Sequence, residues 1–279
     1  MSAYPELQAM VLVCEFISYA SIIFFALYMN ANIESVIVED EVVEYKKNCI
    51  DTKTAAIVVV GSGPVGMQFA NELMLRNIDI PVIVYGSEPV QPYNRVRLSD
   101  YLAGEVYRDT LSIDEPESDT AQIEFRYNCA VEWIDKDEKF ITDASGREQY
   151  YSKLVLVTGS TPFMPMFGNR HYKGVYTFRT LGEADELLSR KIRTRHTVVI
   201  GGGLLGLETA RAMQKYHTDI TIIEHNRWLM MHQLDEQGSA YLENFITESG
   251  IKVILGDSVV SVTGNGRVEG LTLRSGKIV

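Results

Sequence analysis

The glycine pattern G-x-G-x-x-G constrains this chain most, because it occurs twice and each copy directly follows a short apolar run. The first copy, residues 61–66 (G-S-G-P-V-G), follows A-A-I-V-V-V at 55–60. The second, residues 201–206 (G-G-G-L-L-G), follows T-V-V-I at 197–200. Short β-branched runs of this kind predict buried parallel strands, and the residues after each glycine pattern predict a helix. The sequence therefore predicts two strand–turn–helix units.

The spacing inside each turn matches what a diphosphate requires of a backbone. The first glycine permits a tight turn, the second lets the backbone approach a pyrophosphate, and the third lets helix and strand pack closely. The N-terminus of the following helix offers free N–H groups and a positive dipole end. We therefore predict that both turns bind dinucleotides. The predicted contacts are Gly61, Gly63, Pro64, Val65 and Gly66 in the first turn and Gly201, Gly203, Leu204, Leu205 and Gly206 in the second.

A carboxylate that holds ribose hydroxyls is expected past the second strand of each unit. After strand 81–85 the candidate is Glu88, whose alternative role is that of a solvated loop carboxylate. After strand 220–223 it is Glu224. A carboxylate there repels a 2′-phosphate, which favours NADH over NADPH, although Arg227 nearby works against this preference. Because hydride must pass between two bound cofactors, we predict one FAD site and one NAD(P)H site that face a shared redox centre.

The order of the predicted elements indicates an α/β fold with two Rossmann-like, three-layer dinucleotide-binding domains. Several short strand-like runs between 123 and 157 predict a β-meander inserted in the first domain. We assign residues 1–54 to an N-terminal extension that ends in a linker. Residues 55–165 are assigned to an FAD-binding domain and residues 166–279 to an NAD(P)H-binding domain.

Residues 9–29 form an apolar run that only Glu15 interrupts. As a helix this run would span roughly 30 Å, about the thickness of a bilayer core. Lysines on its C-terminal side would then leave the rest of the chain in the cytoplasm, anchored to the membrane. The buried acid argues instead for an extension that lies outside the fold of a cytoplasmic protein. Both interpretations stay open.

Charge and cysteine spacing argue against other classes of function. The formal net charge of −11 and the lack of a basic run argue against a nucleic-acid partner. Cys14, Cys49 and Cys129 are far apart and form no C-x-x-C pair. We therefore expect no zinc, iron–sulfur or dithiol site, and no bound metal.

Three further stretches carry a resemblance to a known family: P-Y-N-R-V-R-L-S at 92–99, V-T-G-S-T-P at 157–162, and W-L-M with Q-L-D within 228–235. With the two glycine turns, they make residues 55–279 resemble the two-dinucleotide-binding-domain flavoproteins of the pyridine nucleotide-disulfide oxidoreductase superfamily. Within it, the chain is most like the flavin region of NAD(P)H nitrite reductase large subunits and like rubredoxin and ferredoxin reductases. The resemblance implies flavin contacts by Arg95, Ser99, Thr158 and Gly159.

Two departures from the family pattern concern the redox site. No cysteine pair lies in the helix after the first turn, so electrons would leave the flavin for a partner or another domain instead of a dithiol. Asp100 stands where relatives place a lysine that pairs with the acid matching Glu208. We expect Arg95 or Arg97 to compensate, and the alternative role of Glu208 is that of an ordinary helix carboxylate.

A third departure is that the chain stops before the family's last NAD-domain strand, its Gly-Asp motif and its C-terminal interface domain. We expect unpaired strand edges, an apolar face open to water and weak FAD retention.

These observations predict an FAD-dependent oxidoreductase that passes electrons from NADH to a small acceptor protein or a fused acceptor domain. One alternative is a membrane-associated NADH:quinone reductase, suggested by the apolar run at 9–29. The other is a truncated nucleotide-binding protein without turnover.

Overall fold

The computed structural model describes residues 50–76, 78–116, 122–190 and 194–279, together with the backbone of residues 9–13. The described chain divides into two compact units. The first unit comprises residues 50–94 and 112–160. The second unit comprises the strand at 9–13, residues 95–111 and residues 161–279.

A parallel sheet forms the centre of the first unit. Strand β2 (Ala56–Val60) pairs in parallel with β3 (Val82–Tyr85) on one side and with β7 (Glu148–Leu156) on the other. Strand β4 (Ile123–Arg126) extends the sheet in parallel beyond β3. Every residue of β2 is buried, which is what a β-branched run flanked by strands on both sides requires. Helix α1 (Pro64–Leu75) follows β2 directly.

A β-meander completes the same sheet. Strands β5 (Val131–Asp135) and β6 (Phe140–Asp143) run antiparallel to each other, β6 pairs antiparallel with β7, and the order is β4-β3-β2-β7-β6-β5. Successive residues of β2 enter two different apolar cores. Val58 packs with Ile83 and Ile141, whereas Val59 packs with Ala70 and Met74 of α1. The central strand is therefore covered on both faces.

Five parallel strands form the main sheet of the second unit. Their order is β11-β10-β9-β1-β8. In chain order these strands are β1 (Ala9–Val13), β8 (Val175–Thr177), β9 (His196–Ile200), β10 (Asp219–Glu224) and β11 (Lys252–Leu255). Strand β1 pairs in parallel with both β8 and β9. A segment from the start of the chain therefore lies inside a sheet whose other strands come from its second half.

The two faces of this sheet are covered by different elements. Helix α4 (Leu204–Gln214) packs on β9 and β10, and helix α5 (Glu236–Glu248) packs on β11. On the other face, the antiparallel hairpin of β12 (Val259–Thr263) and β13 (Gly270–Leu273) shares an apolar core with β9 and β10. The second unit is thus also a three-layer α/β structure.

Residues 95–111 belong to the second unit because they pack on its helices. Helix α2 (Leu98–Leu102) lies against α3 (Leu181–Arg190) and α4. The hydroxyl of Tyr101 donates to Asp185 at 2.7 Å, and the hydroxyl of Tyr216 donates to the carbonyl of Leu102 at 2.7 Å.

The predicted fold class, two Rossmann-like three-layer units with a meander in the first, is confirmed. The units divide the chain differently from the predicted ranges 1–54, 55–165 and 166–279, because residues 95–111 and the strand at 9–13 belong to the second unit. The run at 123–126 is not part of the meander, since β4 pairs in parallel with β3.

The predicted helix over residues 9–29 is wrong for residues 9–13, which form β1. Residues 14–29 lie outside the described part of the chain. Within the described residues, no helix is long and apolar enough to cross a membrane. Strand β1 pairs with β9 along its whole length, from Ala9 opposite His196 to Val13 opposite Ile200.

Candidate functional sites

The two glycine turns have nearly the same backbone geometry. Gly61 and Gly201 have φ values of 123° and 111°, in a region that side chains disfavour. Gly63 and Gly203 are extended, with φ of −73° and −82° and ψ of 179° in both. Each pattern therefore folds as the strand–turn–helix unit that its spacing predicted, at the carboxyl end of a buried strand.

The third glycine of each turn is required by close packing. A Cβ atom on Gly66 would collide with the carbonyl oxygen of Gly61, and one on Gly206 would collide with that of Gly201. Each helix can therefore approach its own turn only because no side chain stands at this position. The collision with the backbone repeats in both units, which explains the shared spacing of the two motifs.

Helices α1 and α4 begin in a way that leaves room for an anion. Neither has a side chain that caps its N-terminus, and neither has an acidic residue in its first turn. By contrast, α5 is capped by Asp235, whose carboxylate accepts from the N–H of Gly238 at 2.7 Å. Uncapped N–H groups and the positive end of a helix dipole are the usual protein ligands of a phosphate.

The end of β7 lies against the first turn. A Cβ on Gly61 would meet the carbonyl of Val157 and lie 3.2 Å from the nitrogen of Thr158. Thr158 is exposed, and Gly159 has a φ of 73°. The stretch 157–162, identified in the sequence only by resemblance, thus begins in contact with the first glycine turn.

Glu88 lies in the first unit beyond β3, where the spacing placed it. Its carboxylate accepts a hydrogen bond from the hydroxyl of Tyr93 at 2.7 Å, and the side chain is half-buried. Tyr93 itself is buried. The hydroxyl of Tyr93 therefore holds the carboxylate in place. The sequence gave no signal for this contact.

Arg95 and Ser99 belong to the second unit, although Glu88, Thr158 and Gly159 belong to the first. The hydroxyl of Ser99 donates to Glu208 at 3.0 Å. Arg97 pairs with Asp100 at 3.6 Å. Arg97, one of the two arginines expected to compensate for the missing lysine, thus pairs within its own segment, whereas Ser99, which was not expected to do so, contacts Glu208.

Glu224 bridges the second turn and the strand that follows it. The carboxylate is buried and accepts from the N–H of Gly202 at 2.6 Å and from the N–H of Asn226 at 2.7 Å. His225 Nδ1 lies 3.1 Å from the same group. These contacts hold a negative charge beside the glycine turn, at the carboxyl end of β10.

The loop after β10 supports the same turn. The N–H of Met230 donates to the carbonyl of Gly202 at 3.0 Å, and a Cβ on Gly202 would come within 2.5 Å of the Leu229 side chain. Leu229 is fully buried. The stretch 228–235 entered the sequence analysis only as a family signature, and the structure gives it the role of a backing for the turn.

Side chains of β3, β4 and β7 form a buried polar network that the sequence did not predict. Arg126 is buried and donates to Glu124 at 2.6 Å, to Gln149 at 3.1 Å and to the hydroxyl of Tyr85. Burial raises the pKa of Tyr85 to about 12. The spacing of these residues along the chain gives no signal, since three separate strands, β3, β4 and β7, bring them together.

Cys129 is expected to be unreactive. Burial raises the pKa of its thiol to about 11, and its hydrogen bond to Asp143 at 3.2 Å acts in the same direction. In a variant with Cys14 and Cys49 replaced by serine, we expect iodoacetamide to alkylate Cys129 about 100-fold more slowly at pH 8 than a model thiol, because only the thiolate reacts. The rate should rise about tenfold with each pH unit and level off only near pH 11. If Cys129 in the folded variant were alkylated as fast as the model thiol, its pKa would not be raised.

Comparisons with known proteins agree with these two units. Residues 55–279 match the sequence profile of one family, described as pyridine nucleotide-disulphide oxidoreductase. The chain belongs to this family. The expected cofactors, FAD and NAD(P)H, are those that the family uses. Among the described residues, no group of histidine, cysteine and acidic side chains could hold a metal ion.

Individual relatives place the chain within the family. It is 35% identical over 223 residues to the large subunit of the NAD(P)H nitrite reductase of Klebsiella oxytoca, a match that covers 79% of the chain and 23% of that subunit. It is 30% identical over 227 residues to the rhodocoxin reductase of Rhodococcus erythropolis, covering 80% of the chain and 53% of the relative. The chain thus spans between a quarter and about half the length of these relatives.

A solved structure shows the same fold. A ferredoxin reductase from Rhodopseudomonas palustris superimposes with a TM-score of 0.75 and 27% identity, over 80% of this chain and 56% of that one. The sequence resemblance is therefore confirmed for this family of oxidoreductases, with nitrite reductase large subunits and ferredoxin-type reductases among the relatives.

Proposed function

We propose that this chain binds FAD at the first glycine turn and NADH at the second, and that it passes electrons from NADH to a small redox acceptor. The observation that carries the proposal is the duplicated turn, in which an uncapped helix begins at an extended glycine in each unit. A single anion site of this kind occurs in many classes of protein. Two sites with the same geometry, in a chain of this family, indicate that two dinucleotides bind.

The described residues fit both cofactors. For FAD, backbone groups of Gly61, Gly63, Pro64, Val65 and Gly66 would hold the diphosphate, Glu88 would hold ribose hydroxyls, and Thr158 and Gly159 would flank the turn. For NADH, Gly201, Gly203, Leu204, Leu205 and Gly206 would hold the diphosphate and Glu224 the ribose. Arg95 and Ser99 are proposed flavin contacts, and Glu208 is the acid that Ser99 orients.

The chemistry asks these residues to bind and orient. FAD, when bound, supplies the link between a two-electron hydride donor and one-electron acceptors. The glycine turns fix the diphosphates, and the carboxylates fix the riboses, so the protein positions both cofactors without an acid–base residue. The acceptor is proposed to be a small redox protein or a fused acceptor domain, since rhodocoxin reductase and ferredoxin reductase are among the relatives.

An absorbance spectrum tests the proposal. In excess FAD, the protein should quench flavin fluorescence on binding, and the flavin should bleach on addition of NADH under anaerobic conditions. Restored colour on addition of ferredoxin or rubredoxin identifies the acceptor class. Flavin that stays oxidised in NADH would indicate a nucleotide-binding protein without turnover, and flavin fluorescence that the protein leaves unchanged would disprove the FAD site.

Glu224 should set the preference for NADH. Its buried carboxylate would repel the 2′-phosphate of NADPH, so the wild-type protein should bind NADH more tightly. Glu224→Gln keeps the shape but loses the charge and one of the two backbone hydrogen bonds, because an amide nitrogen cannot accept. We expect the dissociation constant of NADPH divided by that of NADH to fall about 10-fold. Glu236→Gln, which removes an exposed acid of the same unit, is the control. An unchanged ratio in Glu224→Gln would disprove this role.

A further inference from the structure

Strand β1 lies beside the strand that carries the second glycine turn. The main sheet of the second unit has the order β11-β10-β9-β1-β8, so β10 and β1 flank β9 on opposite sides. The run Ala9–Val13 is thus the fourth of five strands, an interior strand between β9 and β8. Its position, rather than its side chains, is what bears on function.

The register brings the end of β1 to the edge of the sheet where the turn begins. Val13 pairs with Ile200, the residue directly before Gly201, and on its other side with Thr177. All of these pairings are parallel, so the carboxyl ends of β1, β8 and β9 meet at one edge. In open parallel sheets this is the edge at which ligands bind.

The two halves of a dinucleotide fall on different sides of β9. Glu224 ends β10, so a ribose held there places the adenosine half over β10. The diphosphate lies at the Gly201 turn, directly after β9. A dinucleotide that is extended along this edge continues from β9 over the next strand, and that strand is β1.

We propose that strand Ala9–Val13 is part of the NADH site and supports the nicotinamide half of the molecule. The inference rests on the proposed NADH site at the second turn. It assigns to the N-terminal run a role in dinucleotide binding, where sequence alone left a choice between a membrane anchor and an extension outside the fold. It also predicts that ligands containing only the adenosine half do not depend on this strand.

Hydrogen exchange of the full chain tests the inference. With NAD⁺ bound, we expect slower amide exchange both at 201–206 and at 9–13, whereas 5′-AMP should slow exchange only near Glu224 and the turn. Protection by NAD⁺ at 201–206 without any at 9–13 would overturn the inference and leave the proposed NADH site standing. Exchange that NAD⁺ leaves unchanged at 201–206 would overturn the NADH site itself, and the inference with it.

A substitution within the strand gives a second test. Val11→Pro removes a backbone donor from a strand paired on both sides, and Val11→Ile keeps the β-branched shape as a matched control. We expect proline to weaken NADH binding at least about 10-fold, with isoleucine within about 2-fold of wild type, and 5′-AMP affinity to be retained in both. Equal losses for NADH and 5′-AMP in Val11→Pro would overturn the assignment of β1 to the nicotinamide half.

Discussion

Alanine at Gly61 is expected to destabilise the first unit and abolish FAD binding. Gly61 has a φ of 123°, and a Cβ there would collide with the carbonyl of Val157. Backbone strain and overpacking together should cost roughly 3–5 kcal/mol. Because the same residue forms the turn of the proposed FAD site, a chain that still folds should bind FAD at least about 100-fold more weakly. Thermal unfolding and fluorescence titration with FAD measure the two effects.

Gly146 offers a matched control for this substitution. It also has a positive φ, 79°, and it lies in the first unit, but a Cβ there would meet no atom within 4 Å. Gly146→Ala should therefore cost only about 1 kcal/mol of backbone strain and leave FAD binding unchanged. Equal destabilisation by both substitutions would show that the contact with Val157 does not matter. Normal FAD affinity in Gly61→Ala would disprove the site at this turn.

Alanine at Gly203 should have the opposite profile, with the fold kept and the cofactor lost. Gly203 is extended, with φ of −82°, and a Cβ there would meet no protein atom within 4 Å. The unfolding midpoint should stay the same or rise slightly, because alanine narrows the unfolded ensemble. The added methyl group would occupy the space through which a diphosphate approaches the turn. We expect NADH affinity to fall at least about 10-fold, since two or more charged hydrogen bonds lengthen or break.

Two other glycines of the second unit complete that experiment. Gly182→Ala adds a methyl group in open space within α3, so it should raise stability slightly and leave NADH affinity unchanged. Gly206→Ala should lower stability as well as affinity, because its Cβ would collide with the carbonyl of Gly201. Isothermal titration with NADH and thermal unfolding separate the three cases. Full NADH affinity in Gly203→Ala would place the dinucleotide elsewhere.

The local units of this fold were predictable because their signals are local. The turns at 61–66 and 201–206 depend on glycines a few positions apart, and each follows its strand and opens its helix in the chain itself. Helices α1 and α4 were expected directly after the two turns, and they begin there. Glu224 was placed correctly at the end of β10, because about twenty residues of strand and helix fix that distance.

The features that sequence missed depend on contacts between distant segments. The run at 9–29 has the same apolar signal whether it forms a helix or a buried strand, and only its pairing with β8 and β9 decides for residues 9–13. The run at 123–126 resembles a meander strand until β3 is seen beside it. The bond from Ser99 to Glu208 joins residues more than a hundred positions apart, and no periodicity reports on it.

The position of β1 also has a consequence for how the protein folds during its synthesis. Residues 9–13 are synthesised well before their partner strands, since β8 begins at Val175 and β9 at His196. At a synthesis rate of roughly 5–20 residues per second, this apolar segment waits roughly 10–40 s for the strand that covers it. Throughout that interval it is an aggregation hazard that a nascent-chain chaperone would shield. Slower translation should thus lower the yield of native protein, and added chaperones that bind nascent chains should restore the yield.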